Sequence, residues 1–531
     1  MRRPLLFLAN MVRIRLSISI LAAIAAVAVA GCGGGSSSGD GASSSALAEL
    51  ASPGSLVFAE GELKPSGELK ANVDAVAKRL TGASLGEFVV SELESSARQD
   101  GETFDYATEV EPWLGKKGGV AFERLIDGEL SEPLIVVQTT DPKAAQAFID
   151  KRTKKSSDPS KDVSYKGVAF NVGGPEKNAV GMIGETLVLA QSEKEFKAAV
   201  DASQGDSLGG EDRFRGAIAA ASSGSFADVY VDVGGIIEQS EDKIDAQAQE
   251  VLQSAGIDPS EATAVASVIP RSDQIQVDLS SDLGGEKAPA GDPSKLLGSL
   301  PASSFAAFGF TEFNEQLEEA VDSIDESGVP PELGPNELKS TLSQAGVDLD
   351  KIVASLEEGA VFAEGTDKGS LGGAMVVTSS SGEAADAIGS LGTLLRAARV
   401  PGITAVGGKA SGFSVNNAGP DAKPIVVIAK GDRIAVGYGL AAALAGLNAG
   451  SGATLSDKPA YKAAVSALGK TPISAFADGP AALSLAEALV PRSKTDFWEA
   501  VPYLKKISYI GLGSGTNGEL ATAKLVAGLG K

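Results

Sequence analysis

The chain of 531 residues contains no histidine. Without imidazole there is no Ser-His or Cys-His nucleophile pair, no His-ligated zinc and no histidine pH switch, which removes most hydrolase mechanisms. Cysteine is nearly absent too. The single residue, Cys32, allows no internal disulfide and no Cys-based metal site, so the fold must be held by packing. Aromatic residues make up 5% of the chain and include two tryptophans, too few to build stacking platforms under sugars or bases. Basic residues are outnumbered, 46 against 69 acidic ones, for a net charge of −23. A surface that negative repels phosphate backbones and anionic head groups, which argues against a nucleic-acid partner and against a polybasic membrane clamp.

What is present begins at the amino end. Arg2, Arg3, Arg13 and Arg15 precede an apolar stretch from Leu16 to Gly31, the pattern of a secretory signal with its charged and apolar regions. The stretch is shorter than the about 20 residues that a spanning helix needs. It closes on Val29, Ala30, Gly31 and Cys32, a string that resembles the bacterial lipobox, in which the cysteine thiol takes a diacylglyceryl group and becomes the new amino terminus. Residues 1–31 are therefore expected to be a lipoprotein signal peptide, Cys32 the lipidation site, and the outer face of the cell membrane the address. Met11 begins an equally good leader, so the true start is Met1 or Met11. The leader holds no acid, so its removal makes the remaining chain still more acidic. Two acyl chains hold a protein durably where one is marginal.

Residues 32–52 are rich in Gly, Ser and Ala and read as a flexible tether. Roughly 500 residues beyond the leader exceed what one hydrophobic core organises. The sequence reads as an internal duplication, with one α+β repeat domain over 53–284, a linker over 285–298 and a second over 299–531. The signal is spacing. GETLVLA from Gly184 is followed by a helix pattern, Ser207-Leu208 and Phe214; GDRIAVG from Gly431 is followed by a helix pattern, Thr454-Leu455 and Tyr461 at the same interval. Further landmarks pair Phe122 with Phe362, and Phe226-Ala227-Asp228 with Phe476-Ala477-Asp478. Leu69, Val73, Val76, Ala77 and Leu80 recur at helical steps, whereas Ile275, Val277 and Leu279 alternate with Gln274, Gln276 and Asp278 as in a strand. Strict alternation predicts a mostly antiparallel sheet, wet on one face and covered by helices on the other.

The opening SLVFAEGELKPSGELKANVDAVAKRL, the EVEPWLGKKGGVAF segment around Trp113 and the paired SL and RF, TL and AY spacings resemble the exported bacterial proteins grouped as domain of unknown function family 3352. The resemblance implies a cell-envelope location and supplies no activity, substrate or catalytic residue. The second copy has Ser355-Leu356-Glu357 where the first has its Trp-Leu-Gly element.

Motif spellings yield little chemistry. Gly82-Ala83-Ser84-Leu85-Gly86 spells a nucleophile elbow, but it follows a helix pattern and has no histidine to serve it; Gly82 reads as a helix C-cap and Ser84 as the next N-cap. The glycines of Gly511 to Gly518 are followed by an alternating strand pattern, so they read as a hairpin turn and not a dinucleotide loop. Ser240-Glu241-Asp242-Lys243 spells SxxK in a charged segment with no KTG to complete it. The acidic clusters Glu318-Glu319, Asp348-Leu349-Asp350 and Glu357-Glu358 lack the alternation and central glycine of a calcium loop. No cofactor or metal is expected. Trp113 reads as core.

Two functional classes follow from these readings. The first is a non-enzymatic, lipid-anchored envelope protein acting as a binding or scaffold module, with a hydrophobic ligand or another envelope protein as partner. The alternative is a His-independent hydrolase built on an Asp/Glu pair in a cleft.

Overall fold

The structure, a computed structural model, describes residues 45–530 apart from 100–104, 127, 132, 156–159, 174–176, 241–261, 283–290, 312–313, 315–342, 345–347, 381–383, 398, 409, 417–421 and 519. It is a mixed α/β chain on antiparallel sheet, and it divides into two compact units. One unit comprises the chain to Ala288 with Thr516–Lys524, the other Pro289–Gly515 with Leu525–Gly530. Among the described residues no helix is long and apolar enough to cross a membrane.

In the first unit β1 (Val57–Glu62) leads into helices α1 (Gly67–Thr81), α2 (Leu85–Gln99) and α3 (Tyr106–Glu109), then β2 (Leu114–Phe122). A short hairpin, β3 (Leu125–Ile126) and β4 (Glu129–Leu130), precedes β5 (Leu134–Thr139), α4 (Pro142–Lys155) and the meander β6 (Ser160–Tyr165), β7 (Val168–Gly173), β8 (Asn178–Ile183), β9 (Thr186–Ala190). Helices α5 (Glu193–Gln204) and α6 (Asp212–Ala219), strand β10 (Ala227–Asp232), helix α7 (Val233–Gln239), and strands β11 (Thr263–Arg271) and β12 (Gln274–Asp282) follow. The strands lie in the order β6-β7-β8-β9-β5-β2-β1-β10-β11-β12, all antiparallel.

The second unit runs α8 (Ser294–Ser299), β13 (Ser304–Phe310), α9 (Leu349–Ala354), β14 (Leu356–Glu364), β15 (Gly372–Ser379), α10 (Ala384–Ala397), and the meander β16 (Ile403–Ala405), β17 (Ser411–Val415), β18 (Ile425–Lys430), β19 (Arg433–Tyr438). It continues through α11 (Leu440–Leu447), α12 (Pro459–Leu468), β20 (Ile473–Asp478), α13 (Gly479–Leu489), α14 (Thr495–Leu504), β21 (Ile507–Asn517) and β22 (Leu520–Leu529), apart from Thr516–Lys524 of the last two strands, which group with the first unit. Its order is β16-β17-β18-β19-β15-β14-β13-β20-β21, again antiparallel. Strand for strand, this is the connectivity of the first unit from β6 to β11.

Packing departs from the one-wet-face expectation. On β5, Leu134 and Val136 join the core that holds Phe196 and Phe214, whereas Ile135 and Val137 join another with Ala145 and Ile149 of α4. On β15, Ala374 and Val376 face one cluster and Val377 another that includes Ala384 of α10. Each sheet therefore carries helices on both faces. The alternation in β12 reflects polar groups that satisfy each other, not solvent: Gln276 is buried and donates to Asp278 at 2.7 Å, which also accepts from Ser222 at 2.8 Å.

Two landmark pairings also shift. Gly118 lies opposite Gly61, and Gly359 opposite Phe310, so Phe362 matches Ala121 in register, not Phe122. A slip of one residue changes the face: Phe362 is in the main core, while Phe122 packs on the other side with Val57 and Val231. Likewise Phe226-Ala227-Asp228 starts its strand, but Phe476-Ala477-Asp478 ends one. The residue that matches Phe476 is Tyr230. Tyr230 packs edge-on against Phe214 at 5.0 Å, as Phe476 packs edge-on against Tyr461 at 5.2 Å. Asp232 then caps α7 and pairs with Arg213 at 2.9 Å, as Asp478 caps α13 and pairs with Lys458 at 2.8 Å.

Candidate functional site

Strand β13 reads Ser-Phe-Ala-Ala-Phe-Gly-Phe, and its alternation sends Ala307 into the helix-covered core while Ala306, Phe308 and Phe310 take the other face. Its neighbours repeat the pattern. On β14 Ala360 and Phe362 are core and Val361 and Ala363 are not; on β20 Phe476 is core and Ala475 and Ala477 are not. The register aligns these side chains in two rows across four strands. One row is Ala363, Ala306, Ala477 and Ile510; the next is Val361, Phe308, Ala475 and Leu512.

The rows line an open hollow of about 330 Å³ whose lining residues are all apolar. Val361 is 41% exposed and Ile510 37%, high for large aliphatic side chains in the middle of a sheet. Phe310 stands one row further on, opposite Gly359 and outside that lining. Its ring lies where the Cβ of any residue other than glycine at 359 would sit, 2.0 Å from that position, and its centroid is 6.1 Å from the Phe308 ring. The matching face of the first unit is filled: Val57 and Val231 pack with Phe122 of β2, Leu125 and Leu130 of the β3-β4 hairpin and Ile236 of α7.

The first unit holds a polar row instead, on the side of its sheet that bears Phe58 and Tyr230. Asp278, Ser267, Asp228 and Glu60 stand opposite one another on β12, β11, β10 and β1. Asp228 accepts from Ser267 at 2.6 Å and Ser225 at 2.8 Å, and Glu60 pairs with Lys117 at 2.6 Å and accepts from Ser45. Burial lifts the Asp228 carboxyl above its ordinary range despite the two serine hydroxyls and the nearby Lys117 ammonium. The Lys117 ammonium is held above its ordinary value by Glu60, Glu62 and Asp228, against burial, the largest influence, which lowers it. Both carboxylates are occupied by the protein itself.

Cys32, Val29, Ala30 and Gly31 lie outside the described residues, as do Glu318, Glu319 and Glu241 to Lys243 of the SxxK spelling. Gly82 caps α1 in the left-handed conformation, φ 87°. Ser84 and Glu87 form a reciprocal cap on α2: the Glu87 amide donates to Ser84 Oγ at 3.3 Å and the Ser84 amide to Glu87 Oε2 at 2.9 Å. The GxSxG spelling is thus two helix caps. Gly511 to Asn517 continue β21 and are followed by β22, so no helix N-terminus stands there to receive a phosphate. The turn is tighter than the sequence suggested, with Gly518 at φ 66°. Trp113 is buried against Phe148, ring centroids 5.5 Å apart, and its indole donates to the Glu109 carbonyl at 2.7 Å. Asp348 caps α9, and Glu357 and Glu358 lie on β14. Among the described residues no group of three or more acidic, His or Cys side chains could hold a metal ion.

The hollow was missed in the sequence because each of its strands contributes small or ordinary apolar residues. Only the register makes them one surface. Residues 89–513 match the model of a family described as "Protein of unknown function (DUF3352)". No curated protein matches the chain. Among solved structures, crystal form III of TP0453 is similar over 45% of this chain and 80% of its own, at 12% identity and a TM-score of 0.24.

Proposed function

The chain belongs to the DUF3352 family, and from that premise we propose that it is a lipid-anchored envelope protein that binds a hydrophobic ligand without catalysis. Acylation at Cys32 places it on the outer face of the cell membrane, and the segment after it tethers two tandem copies of one domain; the tether is shorter than the 32–52 expected from composition, because Leu47, Ala48, Leu50 and Ala51 are buried in the main core of the first unit. The shared strand order and the repeated Phe/Tyr and acid-base pairs support the duplication. One observation carries the ligand reading: the hollow across β14, β13, β20 and β21, wholly apolar on a face that the first unit fills with its own side chains. Concave apolar sites are where hydrophobic ligands bind, and exposed apolar surface is costly to keep without use.

Among the described residues, Glu60 and Asp228, opposite each other on β1 and β10, are a candidate pair for the hydrolase alternative. Their oxygens are engaged by Lys117, Ser45, Ser225 and Ser267, which supports a structural role for the row. Mass spectrometry of protein purified from native membranes tests the proposal. A copurifying lipid is the expected result; a stoichiometric protein would move the reading to scaffolding, and neither would leave the hollow without a function. Anchoring is tested separately by labelled palmitate, whose incorporation should vanish in Cys32→Ser.

A further inference from the structure

Helices α13 and α14 form a hairpin whose surface differs from the rest of this acidic chain. Over the two helices and their joint, Gly479 to Lys506, Arg492, Lys494, Lys505 and Lys506 stand against Glu487, Asp496 and Glu499, a local charge of +1 in a protein of net −23. The hairpin also exposes apolar surface: Leu489 at the end of α13 is 43% exposed and Tyr503 on α14 51%. Trp498, which unlike Trp113 is not buried in a core cluster, sits at the hairpin bend. Its indole donates to the Pro491 carbonyl at 3.1 Å, and the Arg492 guanidinium lies 3.6 Å from its ring centroid. Phe497 packs edge-on to it at 5.1 Å. A Lys505–Glu487 ion pair of 3.2 Å ties the far end of α14 to α13.

We propose that this hairpin is a second membrane contact, resting on the phospholipid surface with Trp498 and Leu489 at the level of the head groups and Arg492, Lys494 and Lys506 on their phosphates. Aromatic rings with one polar edge, flanked by cations, are the side chains that settle at a bilayer interface. The net charge of the chain does not oppose this at contact. Repulsion from acids elsewhere on the surface is screened beyond about 8 Å at physiological salt, inside which the local cations dominate. The contact is independent of the apolar hollow and of any ligand it holds.

The full chain carrying Trp113→Phe has Trp498 as its one remaining tryptophan. Added to vesicles of phosphatidylcholine and phosphatidylglycerol with brominated acyl chains, it should show blue-shifted emission quenched at least twofold. Lys494→Glu with Lys506→Glu in the same chain, or 0.5 M NaCl where that variant does not fold, should remove most of the quenching. Vesicle-bound protein with unquenched Trp498 would overturn the contact. Quenching unaltered by both charge reversal and salt would overturn the role given to the cations.

Discussion

Gly359→Ala is the sharpest test of the packing beside the hollow. The added Cβ would lie 2.0 Å from Cε2 and 2.2 Å from Cζ of Phe310, so the ring must leave its place over the strand. Overpacking of that kind costs about 1–3 kcal/mol. It is offset in part by the lower entropy of an unfolded chain with alanine in place of glycine, about 0.4–1 kcal/mol. The net loss should lower the midpoint of the second unit by a few degrees, at about 2–4 °C per kcal/mol for a unit of this size. The sign reverses without the ring. In a Phe310→Ala background, Gly359→Ala should be neutral or stabilising, because the clash is gone and the entropy gain remains. Thermal and urea melts of the four proteins of this cycle measure the coupling directly. If Gly359→Ala costs the same with and without Phe310, the ring does not occupy the space that the glycine leaves.

Asp228→Asn probes the polar row. Because burial raises the Asp228 carboxyl above its ordinary 3.8, the folded chain holds that proton more tightly than the unfolded one. The contribution is complete below the unfolded pKa and lost as pH rises through the folded value, so the variant should gain on the native protein with rising pH across that window. Urea midpoints from about pH 3 to 7 read this, and a constant difference would rule it out. Phe214→Ala should cost about 3–5 kcal/mol, since the ring is fully buried edge-on to both Phe58 and Tyr230; a loss under about 1 kcal/mol in denaturant melts would mean that this core rearranges freely. Asp478→Ala removes the acceptor for the Ala481 amide at 3.2 Å and the partner of Lys458, and should cost about 0.5–2 kcal/mol. Asp478→Asn should retain much of that cap, and equal losses in the two variants would contradict the capping role.

The local elements were legible because they depend on neighbours along the chain. Val73, Val76 and Ala77 recur at the helical period and are the buried side of α1; Gly82 and Ser84 are caps because a helix end leaves its own N–H and C=O groups to nearby residues. The helix that follows GETLVLA's partner GDRIAVG was readable for the same reason. The faces were not. A one-residue slip leaves the letters of Phe122 and Phe362 looking equivalent while sending one ring into the main core and the other to the opposite side of a sheet. Nor does period-two alternation say what covers the polar side, which is why Gln276 and Asp278 looked wet and proved mutually bonded.

By itself the sequence determined what chemistry is absent, since no arrangement of the backbone can supply a missing imidazole or a second thiol, and it determined the helices and strands whose signals lie within a few residues. Tertiary structure alone decided the site. Ala306, Ala363, Ala475 and Ala477 are distant in the chain and ordinary in composition, and they become one apolar floor because hydrogen-bonded register sets residues of separate strands side by side.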